Sequence, residues 1–129
     1  MKRLLLLLLL PFIGNGQVFN FQTFDIQEVV IKNEDTTYSE VMSFVATYIF
    51  DIKNNTITAS INGVATTMSV FCWIDTTSVG DSYAGLTYND HPLQGWLINL
   101  TTKEVLFTEL RLDSSDYVCK FPNSILTKL

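Results

Sequence analysis

The chain carries one histidine, two cysteines and only 8 lysines and arginines in 129 residues. Each scarcity excludes a class of chemistry. Any Ser-His-Asp or Cys-His catalysis would have to run through His91, which lies between Asp90 and Pro92 in turn-like sequence. Histidine in such a place is ordinarily a polar surface residue. Neither a Gly-x-Ser-x-Gly elbow nor a His-Glu-x-x-His pair occurs. There is no Cys-x-x-Cys, so the donors of a structural zinc or a dithiol redox centre are missing. The sequence therefore offers no catalytic residue, no metal ligands and no cofactor site. Without a basic run to neutralise phosphates, nucleic acid is not an expected partner. Carboxylate pairs that cleave glycosides meet in space and not in sequence, so a hydrolase stays open but ranks behind the non-catalytic readings.

Beyond the first few residues there is no long apolar run either. Met1-Lys2-Arg3 is a short basic segment, residues 4–13 are apolar, and Gly14-Asn15-Gly16 places small residues before Gln17. That is the order of a secretory signal peptide, and the run is half the roughly 20 residues a spanning helix needs. The expected organisation is a signal peptide over residues 1–16 and a single all-β domain over residues 17–129, secreted or periplasmic. No membrane span is expected in the mature chain. Loss of the leader would remove 2 basic residues and no acids, leaving 6 against 13 and a formal charge of −7. Such a balance favours solubility and repels polyanions.

What the chain does have is strand sequence. Residues 44–51 alternate Phe44, Ala46, Tyr48 and Phe50 with Val45, Thr47, Ile49 and Asp51, the period and residue types of a pleated surface. A helix competes here, because Val41, Phe44, Val45, Tyr48 and Ile49 also fit a 3.6 period behind a Thr37-x-x-Glu40 capping box. The β-branched and aromatic content favours the strand. Lys53-Asn54-Asn55 turns the chain into residues 56–61, and Asn62-Gly63 is a hairpin signal of the type I′ kind. Residues 64–75 follow as a third strand, completing a meander.

Before it, Phe19, Phe21 and Phe24 open an extended segment running to about residue 32, with a bulge where the Phe spacing changes from two to three. The acids of residues 33–37 read as a solvated loop rather than a cation site. After the meander, residues 83–88, 95–100, 104–112 and 116–121 read as strands separated by turn sequence, and residues 123–129 carry no clear element. The fold class is all-β: a small antiparallel meander forming a barrel or sandwich of seven to eight short strands.

Two cysteines in a secreted chain most often pair. Cys72 shares a strand face with Val70 and Ile74, and Cys119 shares one with Tyr117 and Phe121, so both point toward a core. A bridge would close a 47-residue interval, stabilising by about 4 kcal/mol on the chain-entropy model. The alternative is two buried thiols that never meet. The run Asp113-Ser114-Ser115-Asp116-Tyr117-Val118-Cys119 resembles the Asp-x-[Gly/Ala/Ser]-x-Tyr-x-Cys signature of immunoglobulin domains. That resemblance implies a sandwich with a Cys72–Cys119 bridge and Tyr117 as a corner. It covers seven residues. The chain departs from the family's pattern in having no Trp on the strand after Cys72 and few residues after Phe121.

Phe71 and Trp73 lie on the face opposite Cys72, among Thr67 and Ser69. Both faces of residues 70–74 are thus apolar. Either the strand is covered twice, under the Phe-rich segment 18–31 or by curvature of the sheet, or Phe71 and Trp73 display a ligand or partner surface. The first functional reading is a non-catalytic binding module for an apolar ligand or glycan. The second is a structural or protein-interaction domain, immunoglobulin-like, of the periplasm or cell surface. A pocketed barrel requires inner positions such as Phe44, Tyr48, Met68 and Trp96 to surround a cavity.

Overall fold

Strand alternation along nearly the whole chain leaves each segment with one apolar face to bury. The computed structural model, which describes residues 18–129, shows how those faces meet. The expected leader, residues 1–16, lies outside the described residues, as does Gln17. Ten strands run in order: β1 (Val18–Lys32), β2 (Asp35–Tyr38), β3 (Met42–Asp51), β4 (Thr56–Ile61), β5 (Val64–Thr76), β6 (Ser82–Tyr88), β7 (Gln94–Asn99), β8 (Val105–Leu110), β9 (Asp116–Lys120) and β10 (Ser124–Lys128). Eight of them, β1 and β3 to β9, close into an antiparallel barrel in meander order. β2 and β10 are extra strands on β1. Among the described residues no helix is long and apolar enough to cross a membrane.

Closure runs through β1. Its first part pairs with β3 on one edge and β10 on the other (Phe21 opposite Tyr48 and Leu126). Its second part pairs with β2 and β9 (Val29 opposite Tyr38 and Val118). Between the two parts the register shifts at Thr23–Asp25, at the place where the Phe spacing changes. Thr23 is fully buried there, and its hydroxyl donates to the Asp25 carbonyl at 2.9 Å. The shift changes which side chains of β1 face inward. Phe19 and Phe21 pack into the core before it, Ile26 after it, and Glu28 faces the same way as its partner Cys119.

The meander forms as its sequence suggests. Asn62 and Gly63 both have positive φ, 53° and 78°, as a type I′ turn requires. At the preceding turn Asp51 holds Asn54 through the backbone N–H and the side-chain amide, at 3.0 and 2.9 Å. Residues 42–51 are strand and not helix.

Two expectations need correction. The polar break at residues 33–37 is a turn of only Asn33 and Glu34, both at positive φ; Asp35–Tyr38 return along β1 as β2, with Lys120 Nζ over the Tyr38 ring at 5.8 Å. The tail is not structureless, because β10 pairs with the start of β1.

Inside the barrel the aromatic rings gather around Trp96. Its centroid lies 4.7 Å from Tyr48, 5.2 Å from both Phe50 and Phe107, 5.7 Å from Phe121 and 6.3 Å from Phe21. Such pairs contribute about 0.5–1.5 kcal/mol each beyond area burial. Toward the end where β1 begins, Phe19, Phe50, Ile57, Ala84, Ile98 and Val105 are all at most 6% exposed, and a groove of about 370 Å³ borders Phe19, Leu100 and Lys128. The other end, where β4 and β6 finish and β7 starts, is not filled.

A cavity at the open end of the barrel

At that end a cavity of about 290 Å³ opens between the inner faces of β3 to β9. Tyr48 comes from β3, Ala59 and Ile61 from β4, Met68 from β5 and Tyr88 from β6; Gln94 and Trp96 come from β7, Phe107 from β8 and Cys119 from β9, with Phe121 just beyond it. Of the inner residues anticipated from strand parity, Tyr48, Met68 and Trp96 line it. Phe44 packs against the core without lining it.

The cavity's polar groups are few and ordered. The Trp96 indole Nε1–H donates to Tyr88 Oη at 2.9 Å, in a buried bond. Burial, with smaller effects from Tyr88 and Cys119, pushes the Tyr48 hydroxyl up to about 12. Burial also raises Tyr88, although the Trp96 bond works against it. Both phenols therefore keep their protons through neutral pH.

At the rim, Gln94 Nε2–H donates to Glu109, which also accepts from Arg111 Nε at 3.1 Å. These bonds, Gln94 first, hold the Glu109 carboxyl below its ordinary value. The Arg111 guanidinium covers the Tyr117 ring at 4.2 Å. Gln94, Glu109 and Tyr117 form one inward row because β7, β8 and β9 pair them in register. No single-strand pattern marks that row; a polar residue at the parity of Trp96 and Ile98 was the only hint of it.

The anticipated Cys72–Cys119 bridge is not formed, and both residues are thiols. Inward parity holds for both, yet β5 and β9 stand four strand positions apart by either route round the barrel. At about 4.8 Å per strand, opposite walls lie beyond the roughly 7 Å that a disulfide can span between Cα atoms. Cys119 faces Glu28 and Tyr117, whereas Cys72 is influenced by Asp51. The seven-residue likeness to immunoglobulin domains is likewise local. Asp113 accepts from the backbone N–H of Ser115 at 3.0 Å, and β9 closes onto β1 instead of joining a second sheet.

Phe71 and Trp73 do come together, on the outer wall. The expected cover does not exist, because the Phe-rich segment is itself a wall strand, β1, with Phe19 and Phe21 turned inward; Phe71 is 65% and Trp73 42% exposed. The Trp73 indole lies against Gly85, where a Cβ would overlap the ring. At Gly95 a Cβ would come within 2.6 Å of the Leu86 carbonyl oxygen. These two glycines floor an outer groove of about 390 Å³ walled by Trp73, Leu93, Leu97 and Leu110. A larger rim groove of about 670 Å³ holds Asp90, His91, Glu109 and Arg111, and Gln94 borders all three spaces.

No protein-family model matches this chain, and no curated protein matches it.

The thiol geometry has a direct check. Protein isolated without reductant should titrate two thiols once unfolded, and a Cys72–Cys119 cross-linked peptide would contradict the structure. Burial, then Asp51, pushes Cys72 up to about 11, so its native alkylation at pH 8 should be slow. Cys72 and Tyr48 titrate higher in the folded than in the unfolded state. The stability tied to their neutral forms is complete below about pH 9 and falls as pH rises toward 12. Urea melts at pH 8 and 11 should show that loss; equal midpoints would refute it.

Proposed function

We propose that the chain is a secreted, non-catalytic binding module whose barrel takes a small apolar molecule into its open end. The carrying observation is the cavity of about 290 Å³ walled mainly by aromatic and aliphatic side chains from the inner faces of seven strands. An eight-stranded barrel has an interior just large enough for one small ligand, and concave apolar sites with few polar groups are the usual form of small-molecule pockets. Export is supported by the basic, apolar and small residues in order before Gln17. Exported protein should begin at Gln17, and a mature form retaining Met1 would contradict export.

A second reading rests on the outer wall. Phe71, 65% exposed beside Trp73, supports a platform for a glycan or a protein partner.

One experiment separates the two. Trp73→Phe leaves Trp96 as the sole indole, and N-phenyl-1-naphthylamine serves as an apolar probe. The cavity reading expects saturable binding that changes Trp96 emission, survives Phe71→Ala, and is abolished by Ala59→Phe, which fills the pocket. Loss with Phe71→Ala and persistence in Ala59→Phe would move the site to the outer wall.

A further inference from the structure

Among the cavity's polar side chains the Gln94 amide is engaged by Glu109, and the two tyrosine hydroxyls are the ones with hydrogen-bonding capacity to spare. Tyr88 Oη accepts from Trp96, but among the described residues its own proton has no acceptor. Tyr48 is only 7% exposed and takes part in no side-chain hydrogen bond among the described residues. Among these residues no side-chain nitrogen or oxygen is both fully enclosed and unpartnered. The Tyr48 hydroxyl must therefore reach open space, and the open space it borders is this cavity. Tyr88 borders the same space. Tyr48 thus brings an unpartnered hydroxyl to the cavity, and Tyr88, which lines it, accepts from Trp96 but donates to no side chain among the described residues.

The charges nearby narrow what could supply an acceptor. No lysine or arginine lines the cavity. Glu28 faces inward beside Cys119, and Glu109 sits at the rim with Arg111 held on it. A carboxylate entering would pass Glu109 at the rim and find no lysine or arginine in the lining, so the hydroxyls alone would have to offset its desolvation. An ammonium group would compete with Gln94 and Arg111 for Glu109, and Glu28 is not part of the cavity's lining.

We propose, building on the cavity reading above, that the barrel selects neutral apolar molecules bearing one hydrogen-bond-accepting oxygen, a ketone or an alcohol. The oxygen is held by the Tyr48 and Tyr88 hydroxyls, and the Trp96 indole orients Tyr88 by occupying its acceptor side. The remaining wall (Ile61, Met68, Phe107) encloses the apolar body.

The test is an NMR titration following the Trp96 indole N–H, with four shape-matched probes: 2-acetylnaphthalene, 2-ethylnaphthalene, 2-naphthoate and 2-(aminomethyl)naphthalene. Two net hydrogen bonds of about 1 kcal/mol or less each make the ketone about tenfold tighter than the hydrocarbon. Both charged probes should bind more weakly than the ketone. Tyr48→Phe removes a hydroxyl that bonds nothing in the protein, so it should stay folded, keep the hydrocarbon's affinity and lose most of the ketone's advantage. Tyr88→Phe should also reduce the ketone's advantage, but it takes the acceptor from the buried Trp96 N–H as well and lowers stability, so Tyr48→Phe is the deciding variant. Equal affinity for ketone and hydrocarbon, or tightest binding by a charged probe, would overturn the selectivity and leave the cavity reading standing. Failure of all four probes to bind would overturn both.

Discussion

The double pairing of β1 is the constraint on which everything else rests. A strand of fifteen residues has two edges, and each must find partners or remain a template for aggregation. Here both edges are occupied along most of the strand: β3 and β2 take one, β10 and β9 the other. One strand can serve both halves because its register shifts at Thr23–Asp25, where the buried Thr23 hydroxyl satisfies the Asp25 carbonyl. Without that shift the inward set Phe19 and Phe21 could not pass to Ile26 and Glu28 on the same side of the wall. The meander from β3 to β9 would then be an open sheet with its apolar face uncovered.

Closure sets the interior volume, and side-chain size decides where it is filled. Phe50 and Ile57 plug one end together with Ala84, Ile98 and Val105. Trp96 sits in the middle and touches five rings, and its N–H is satisfied by Tyr88. Beyond Trp96 the inner positions on β4 are Ala59 and Ile61, which are smaller than the aromatics facing them, and the space remains open. The cavity, its Tyr48 and Tyr88 hydroxyls and the Gln94–Glu109–Tyr117 row thus follow from one register of eight strands.

Much of this was legible in local patterns. Alternation located most of the strands, Asn62-Gly63 located its hairpin, and the change in Phe spacing marked the shift in β1. Parity put Tyr48, Met68 and Trp96 inside correctly. Position around the barrel was not legible, because it belongs to closure and not to any segment. Cys72 and Cys119 both face inward as parity says, yet they stand on opposite walls. Phe71 and Trp73 alternate with Cys72 as they should, but whether a second layer covered them depended on where the Phe-rich segment went. β2 and β10 were missed for a different reason: Asp35-Thr36-Thr37-Tyr38 and the tail have little apolar pattern and are strands because β1 offers them a ladder. Gln94 gained meaning only when register set it beside Glu109.

Direct observation of the β1–β9 seam tests the central claim most sharply. In NMR spectra of the protein, cross-strand backbone contacts should link residues 27–31 with residues 116–120, centred on Val29 opposite Val118, and the amides bonded across that seam should exchange slowly. Absence of those contacts, with fast exchange along both strands, would mean an open sheet and would contradict the closed barrel and the cavity that depends on it.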